Sequence, residues 1–99
     1  MKNEPHLIKA KVWLWEGDIP WHFATIEKEQ AEEIKKDYTW PRRGFGSIPI
    51  NVTIGKTSWK TSIFPDKNST YVLPIKKEVR NKEGITVGKT VEIELEVIV

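Results

Sequence analysis

Two adjacent arginines, Arg42 and Arg43, follow Pro41 and precede Gly44 and Gly46, with Trp40 and Phe45 on either side of them. A guanidinium presents a planar fork of N–H donors that fits the oxygens of a phosphate or carboxylate. Glycines let backbone amides approach the same anion. Trp40 and Phe45 offer flat faces on which a base or another ring can stack. Trp40, Arg42, Arg43, Gly44, Phe45 and Gly46 therefore form the first candidate ligand site, and the ligand would be a small anion. Lys60, beside Trp59 on a later strand, joins this set if it points into the mouth of the fold; the outer face is its expected place. The competing reading is structural: the glycines make a tight turn, the aromatics plug one end of the core, and the arginines pair with glutamates. The spacing is not that of a P-loop or a dinucleotide fingerprint, and no Lys-Ser/Thr follows the glycines.

Lys76, Lys77 and Arg80 lie around a second helical segment and could touch nucleic-acid phosphates, although helix-surface lysines are usually only solvated. His22 with Asp18 and either Ser47 or Ser62 makes a nucleophilic triad on paper, without any supporting spacing. His6 and His22 are the only histidines, cysteine is absent, and no HxH or HxxxH occurs, so the three or four ligands of a metal site are not in view. Glu32 and Glu33 read as a solvated helix face. No catalytic residue, metal or cofactor is expected.

These residues sit on a chain of 99, expected to fold as a single domain over residues 1–99. With 38% hydrophobic and 30% charged residues it has the composition of a globular protein. Its net charge of +2 permits nucleic-acid binding without arguing for it. No apolar run approaches the roughly 20 residues of a membrane span. Met1-Lys2-Asn3-Glu4-Pro5 has no signal-peptide character, so the cytoplasm is the expected compartment. Five tryptophans are many for this length; core filling is their expected role, and an aromatic binding surface is the alternative.

The hydrophobic pattern is mostly period two. Ile8, Ala10, Val12 and Leu14 alternate with Lys9, Lys11, Trp13 and Trp15, which predicts a strand with one buried face. Glu16 to Pro20 is a turn, and Trp21 to Thr25 returns as the second strand of a hairpin. Ile26 to Tyr38 changes period: Ala31, Ile34 and Tyr38 share one side of a helix that Pro41 stops. Ile48, Ile50, Val52 and Ile54 predict a strand, with Pro49 implying an edge or a bulge. Gly55-Lys56 turns the chain into a strand from Thr57 to Phe64. A short strand, Thr70 to Leu73, precedes a helix from Pro74 to Lys82, with Pro74 in its first turn and Gly84 as its cap. Val91, Ile93, Leu95 and Val97 alternate with Thr90, Glu92, Glu94 and Glu96 in the last strand.

The plan strand, helix, glycine-containing loop, strand occurs twice. Phe23-Ala24-Thr25-Ile26 leads into the first helix and Tyr71-Val72-Leu73-Pro74 into the second, an echo that needs a one-residue slip. The expected fold is mainly β: a small closed barrel of about six strands, of double-split type, with two short helices and an internal duplication.

Leu73-Pro74-Ile75-Lys76-Lys77-Glu78-Val79-Arg80, followed by Gly84 to Ile93, resembles the AbrB-type swapped-hairpin signature over about 25 residues. In that family two chains interlock into a double-split barrel that binds DNA. A broader likeness rests on five motifs in order: Val12 to Asp18, Pro20-Trp21-His22-Phe23, Arg42 to Ser47, Trp59 to Pro65, and Tyr71-Val72-Leu73-Pro74. These resemble the small barrel family catalogued as domain of unknown function nineteen-oh-five. That resemblance implies a double-split-type barrel with no established activity. The chain departs from the family at Glu27, where proline is frequent, and at Pro49, where a basic residue is frequent; the latter argues against a basic groove along that strand.

The first functional reading is a cytoplasmic, non-catalytic barrel that recognises a small anionic ligand through the Arg42–Arg43 loop. The second is an AbrB-like DNA-binding regulator, and the third an enzyme acting on a small anionic substrate at the same loop. The expected assembly is a monomer or a homodimer, with no membrane association.

Overall fold

The computed structural model describes residues 4–38 and 46–98. Six strands and two helices follow in the order β1 (His6–Trp15), β2 (Trp21–Ile26), α1 (Lys28–Asp37), β3 (Ile48–Ile54), β4 (Thr57–Pro65), β5 (Tyr71–Pro74), α2 (Lys77–Glu83) and β6 (Thr90–Val97), with a 3-10 turn, Lys67–Ser69, before β5. All pairings are antiparallel, and the sheet closes into a barrel in the order β1-β2-β5-β4-β3-β6. Closure leaves no free edge for another chain to pair with.

The period-two residues become the barrel wall. Ile8, Ala10 and Val12 of β1, Ile48, Ile50, Val52 and Ile54 of β3, and Val91, Ile93, Leu95 and Val97 of β6 all face inward and are buried. Helix α1 closes one end with Ala31 and Ile34; α2, with Val79 and the flanking Ile75 and Ile85, closes the other. Among the described residues no polar or charged side chain is buried. Each large aliphatic side chain removed from water contributes about 1.5–3 kcal/mol, so the interior is the main source of stability.

The topology has an internal two-fold. Exchanging β1 with β4, β2 with β5, and β3 with β6 leaves every strand pairing unchanged. The N-caps of the two helices are Glu27 and Lys76, and counting three residues back from each reaches Ala24 and Leu73, which pair with each other. The slip in the sequence echo is thereby resolved: Ala24 corresponds to Leu73, and Thr25 to Pro74.

Three sequence expectations are corrected. Pro74 ends β5, paired with Phe23, and does not open α2, which starts at Lys77. Ile75 N donates to His22 O at 2.9 Å, so the missing N–H of Pro74 faces the β4 side, where pairing has stopped at Val72. Pro49 marks neither an edge nor a bulge: β3 lies between β4 and β6, and Pro49 O accepts from Ile98, beyond the end of β6, so the proline forgoes a bond only at the fraying end of that ladder. The tryptophans are not core filling as a group. Trp59 packs against the core from its half-buried position, Trp13 is half-buried on the outer face, and Trp15 and Trp21 are each 48% exposed; Trp40 lies outside the described residues. Isoleucine, valine and leucine already fill this narrow barrel, which leaves no volume for indoles.

Candidate functional site

With an apolar, filled interior, polar chemistry is confined to the barrel ends and the outer faces. The described residues that flank the arginine loop in sequence are at the α1 end. Trp40, Arg42, Arg43, Gly44 and Phe45 lie outside the described residues, but their anchors are defined. Tyr38 packs against the core just after α1. Gly46 has φ +81, and a Cβ there would lie 3.9 Å from Pro65 Cγ at the end of β4. The connection from helix to strand occupies residues 38–47 in this half and residues 84–89 in the other. The shorter connection turns on two left-handed glycines, Gly84 (φ 63) and Gly88 (φ 91). It is tied to β1 by Gly88 N donating to Val12 O at 2.8 Å and Val12 N donating to Lys89 O at 2.9 Å.

The remaining candidates lie elsewhere. Lys60 is exposed on the outer face of β4 opposite Asn51, which in turn pairs with Glu96 of β6. Glu92 and Glu94 share that outer face, so Lys60 stands in a mixed-charge surface. Lys76, Lys77 and Arg80 gather around α2, at the opposite end from the loop anchors. Lys76 and Lys77 are exposed.

Arg80 turns back onto the barrel. Its Nε donates to Ile75 O at 3.1 Å, and its Nη1 lies 3.4 Å from His22 Nε2. Because Ile75 N also donates to His22 O, one residue fixes the relative position of both side chains. Burial, and then the adjacent Arg80 charge, hold the His22 imidazole below its ordinary value of 6.5. The ring is therefore neutral at pH 7, and the nearby guanidinium makes Nε2 the acceptor and Nδ1 the protonated nitrogen. Among the described residues no carboxylate forms an ion pair with Arg80; the three ion pairs are His6–Asp37, Lys9–Glu92 and Lys36–Glu33.

Glu83, the last residue of α2, fastens that helix to the β3–β4 hairpin. Its Oε2 accepts from Thr57 Oγ1 at 2.6 Å and from the Lys56 amide at 3.3 Å. On the outer face of the β1–β2 hairpin, Trp13 and Phe23 are in contact at 5.3 Å between ring centroids, and Trp21 stacks on Phe23 at 6.1 Å with ring planes 4° apart. Trp13 Nε1 donates to Thr25 Oγ1 at 2.8 Å, which satisfies the indole N–H.

The sequence draws attention to His22 and to Arg80 separately and does not join them. They are 58 residues apart, and only the pairing of β2 with β5, followed by the turn into α2, brings them together. Among the described residues no helix is long and apolar enough to cross a membrane, and no group of three or more acidic or histidine side chains is clustered as a metal site requires.

No curated protein matches the chain. The family described as Domain of unknown function (DUF1905) matches residues 9–95, from β1 through most of β6. The match spans both halves of the barrel and both helices, and the chain belongs to this family.

Proposed function

We propose that this barrel is a non-catalytic binding domain that recognises a small anionic ligand through Arg42 and Arg43. The observation that carries the reading is the asymmetry between the two halves. Residues 84–89 join helix to strand in the second half, whereas the corresponding connection in the first half is residues 38–47. A turn sufficient to close this topology is therefore shorter than the one that holds Trp40, the two arginines and Phe45. Surface loops longer than the scaffold requires are a common place for binding residues, because a rigid barrel positions them at little cost in stability. The filled interior supports a surface site over an enclosed one. Lys60 drops out of the proposed site because its row on the sheet runs through Asn51 to Glu96.

The test is anion-dependent thermal stabilisation of the wild type and of an Arg42→Ala/Arg43→Ala double variant, with pyrophosphate, phosphate, citrate and acetate as ligands. The reading expects the wild type to gain about 2.7 kcal/mol at a ligand concentration of 100 Kd. It expects the double variant to keep its unliganded midpoint and lose that response. A wild type indifferent to the whole panel, or an equal response in the variant, refutes the proposal.

A further inference from the structure

We propose a second anion site at the α2 end, formed by His22 and Arg80, that takes a tetrahedral oxyanion such as a phosphoryl group. It is independent of the arginine loop, whose anchors are at the α1 end of the barrel. The geometry has three parts. Arg80 is half-buried and held by Nε donation to Ile75 O, which leaves the Nη groups as an oriented fork. Its charge has no carboxylate partner among the described residues. Among the described residues, the one group on that fork is the neutral ring of His22, at 3.4 Å, a contact at the long limit of a hydrogen bond. A permanently charged guanidinium whose remaining partner is weak and uncharged gains by exchanging it for an oxyanion.

The exchange fixes what His22 does. An anion on the Nη groups lies beside the Nε2 lone pair, which repels it. A ring protonated at both nitrogens donates to the anion from Nε2 and adds its charge to that of Arg80, so it holds the anion better than either neutral tautomer. From β1 the register partner of His22 is Leu14; after β5 the Ile75 amide bonds its backbone carbonyl; from α2 its ring meets Arg80, the one charged group bearing on it among the described residues. Glu16 and Asp18 of the intervening turn are exposed. Binding is accordingly favoured by protonation of the ring. Affinity rises as pH falls, by up to about tenfold per pH unit between the ring's free and bound values, and bound anion raises the ring's pKa in return.

The experiment is an NMR titration of the two histidine rings of the full chain with sulfate, whose charge is constant between pH 5 and 8. The His22 ring is expected to shift with sulfate and to titrate at higher pH when sulfate is bound, while His6, hydrogen-bonded to Asp37 at 2.7 Å, serves as the internal control. Arg80→Gln should weaken the response at least tenfold, and Arg80→Lys, which keeps the charge and loses the fork, by a smaller factor. Arg42→Ala/Arg43→Ala should leave it unchanged, which separates this site from the loop. Repeating the titration with inorganic phosphate and methyl phosphate shows whether the free ion or an esterified phosphoryl group is preferred. A His22 ring indifferent to sulfate in the wild type overturns the proposal whatever the variants do, as does a response that survives Arg80→Gln or vanishes with the loop arginines.

Discussion

Removal of the Glu83 carboxylate should loosen α2 from the barrel by an amount that the geometry sets. Its Oε2 accepts a 2.6 Å bond from Thr57 Oγ1, within the range of charge-assisted O–H···O contacts, and a longer 3.3 Å bond from the Lys56 amide. A hydrogen bond to a charged group is worth about 1.5–3 kcal/mol. The side chain is half-buried, which places the first bond near the bottom of that range and makes the second a minor addition. Glu83→Ala is expected to cost about 2 kcal/mol, a fall in Tm of roughly 8–16 °C for a domain of this size. Thr57→Val removes the hydroxyl and keeps the shape. In a double-mutant cycle followed by urea denaturation, the pair should show a coupling of about 1–1.5 kcal/mol. Single effects that add to within about 0.5 kcal/mol would refute the assignment, because groups that do not interact behave that way.

Leu95 is fully buried and pairs with Val52 and His6 across two strand interfaces, so Leu95→Ala should cost about 2–5 kcal/mol in the same urea assay. Gly84 and Gly55 both have left-handed backbones, at φ 63 and φ 60, but differ in surroundings. Open space surrounds Gly84, so Gly84→Ala should cost about 1 kcal/mol of conformational strain, whereas a Cβ on Gly55 overlaps the Glu83 carboxylate and Gly55→Ala should cost more. His22, with its folded pKa lowered below 6.5, protonates first in the unfolded chain; it therefore leaves stability untouched above that pH and destabilises progressively as pH falls from 6.5 to the folded value. In a buffer free of sulfate and phosphate, the Tm of wild type should fall relative to His22→Gln across that window; a constant difference would contradict the sign.

The alternating patterns were legible because barrel walls repeat one rule along each strand. Val91, Ile93, Leu95 and Val97 face the core and Thr90, Glu92 and Glu94 face water, as their order alone indicates. What sequence order hides is adjacency. β2 pairs with β5 and β3 with β6, so Ala24 meets Leu73 and Val52 meets Leu95 across long separations. Pro74 illustrates a local ambiguity: proline suits both a helix first turn and the last residue of a strand, and the end of the β4 ladder decided for the strand. The tryptophans misled for a different reason. Burial of an indole depends on the free volume of the interior, and Ile26, Ile48, Ile50, Ile63 and Ile93 occupy it. Arg80 was visible as a basic residue, but its orientation depends on Ile75 O and His22, neither of which a helical pattern reveals.

The long connection of the first half, residues 38–47, is the proposed ligand site. The direct measurement is a two-dimensional amide NMR titration of the wild-type chain with pyrophosphate under low salt. The account predicts saturable shifts concentrated at residues 40–47, with the Arg42 and Arg43 guanidinium resonances moving together. Shifts absent from that segment at millimolar pyrophosphate, with the barrel otherwise folded, would contradict it.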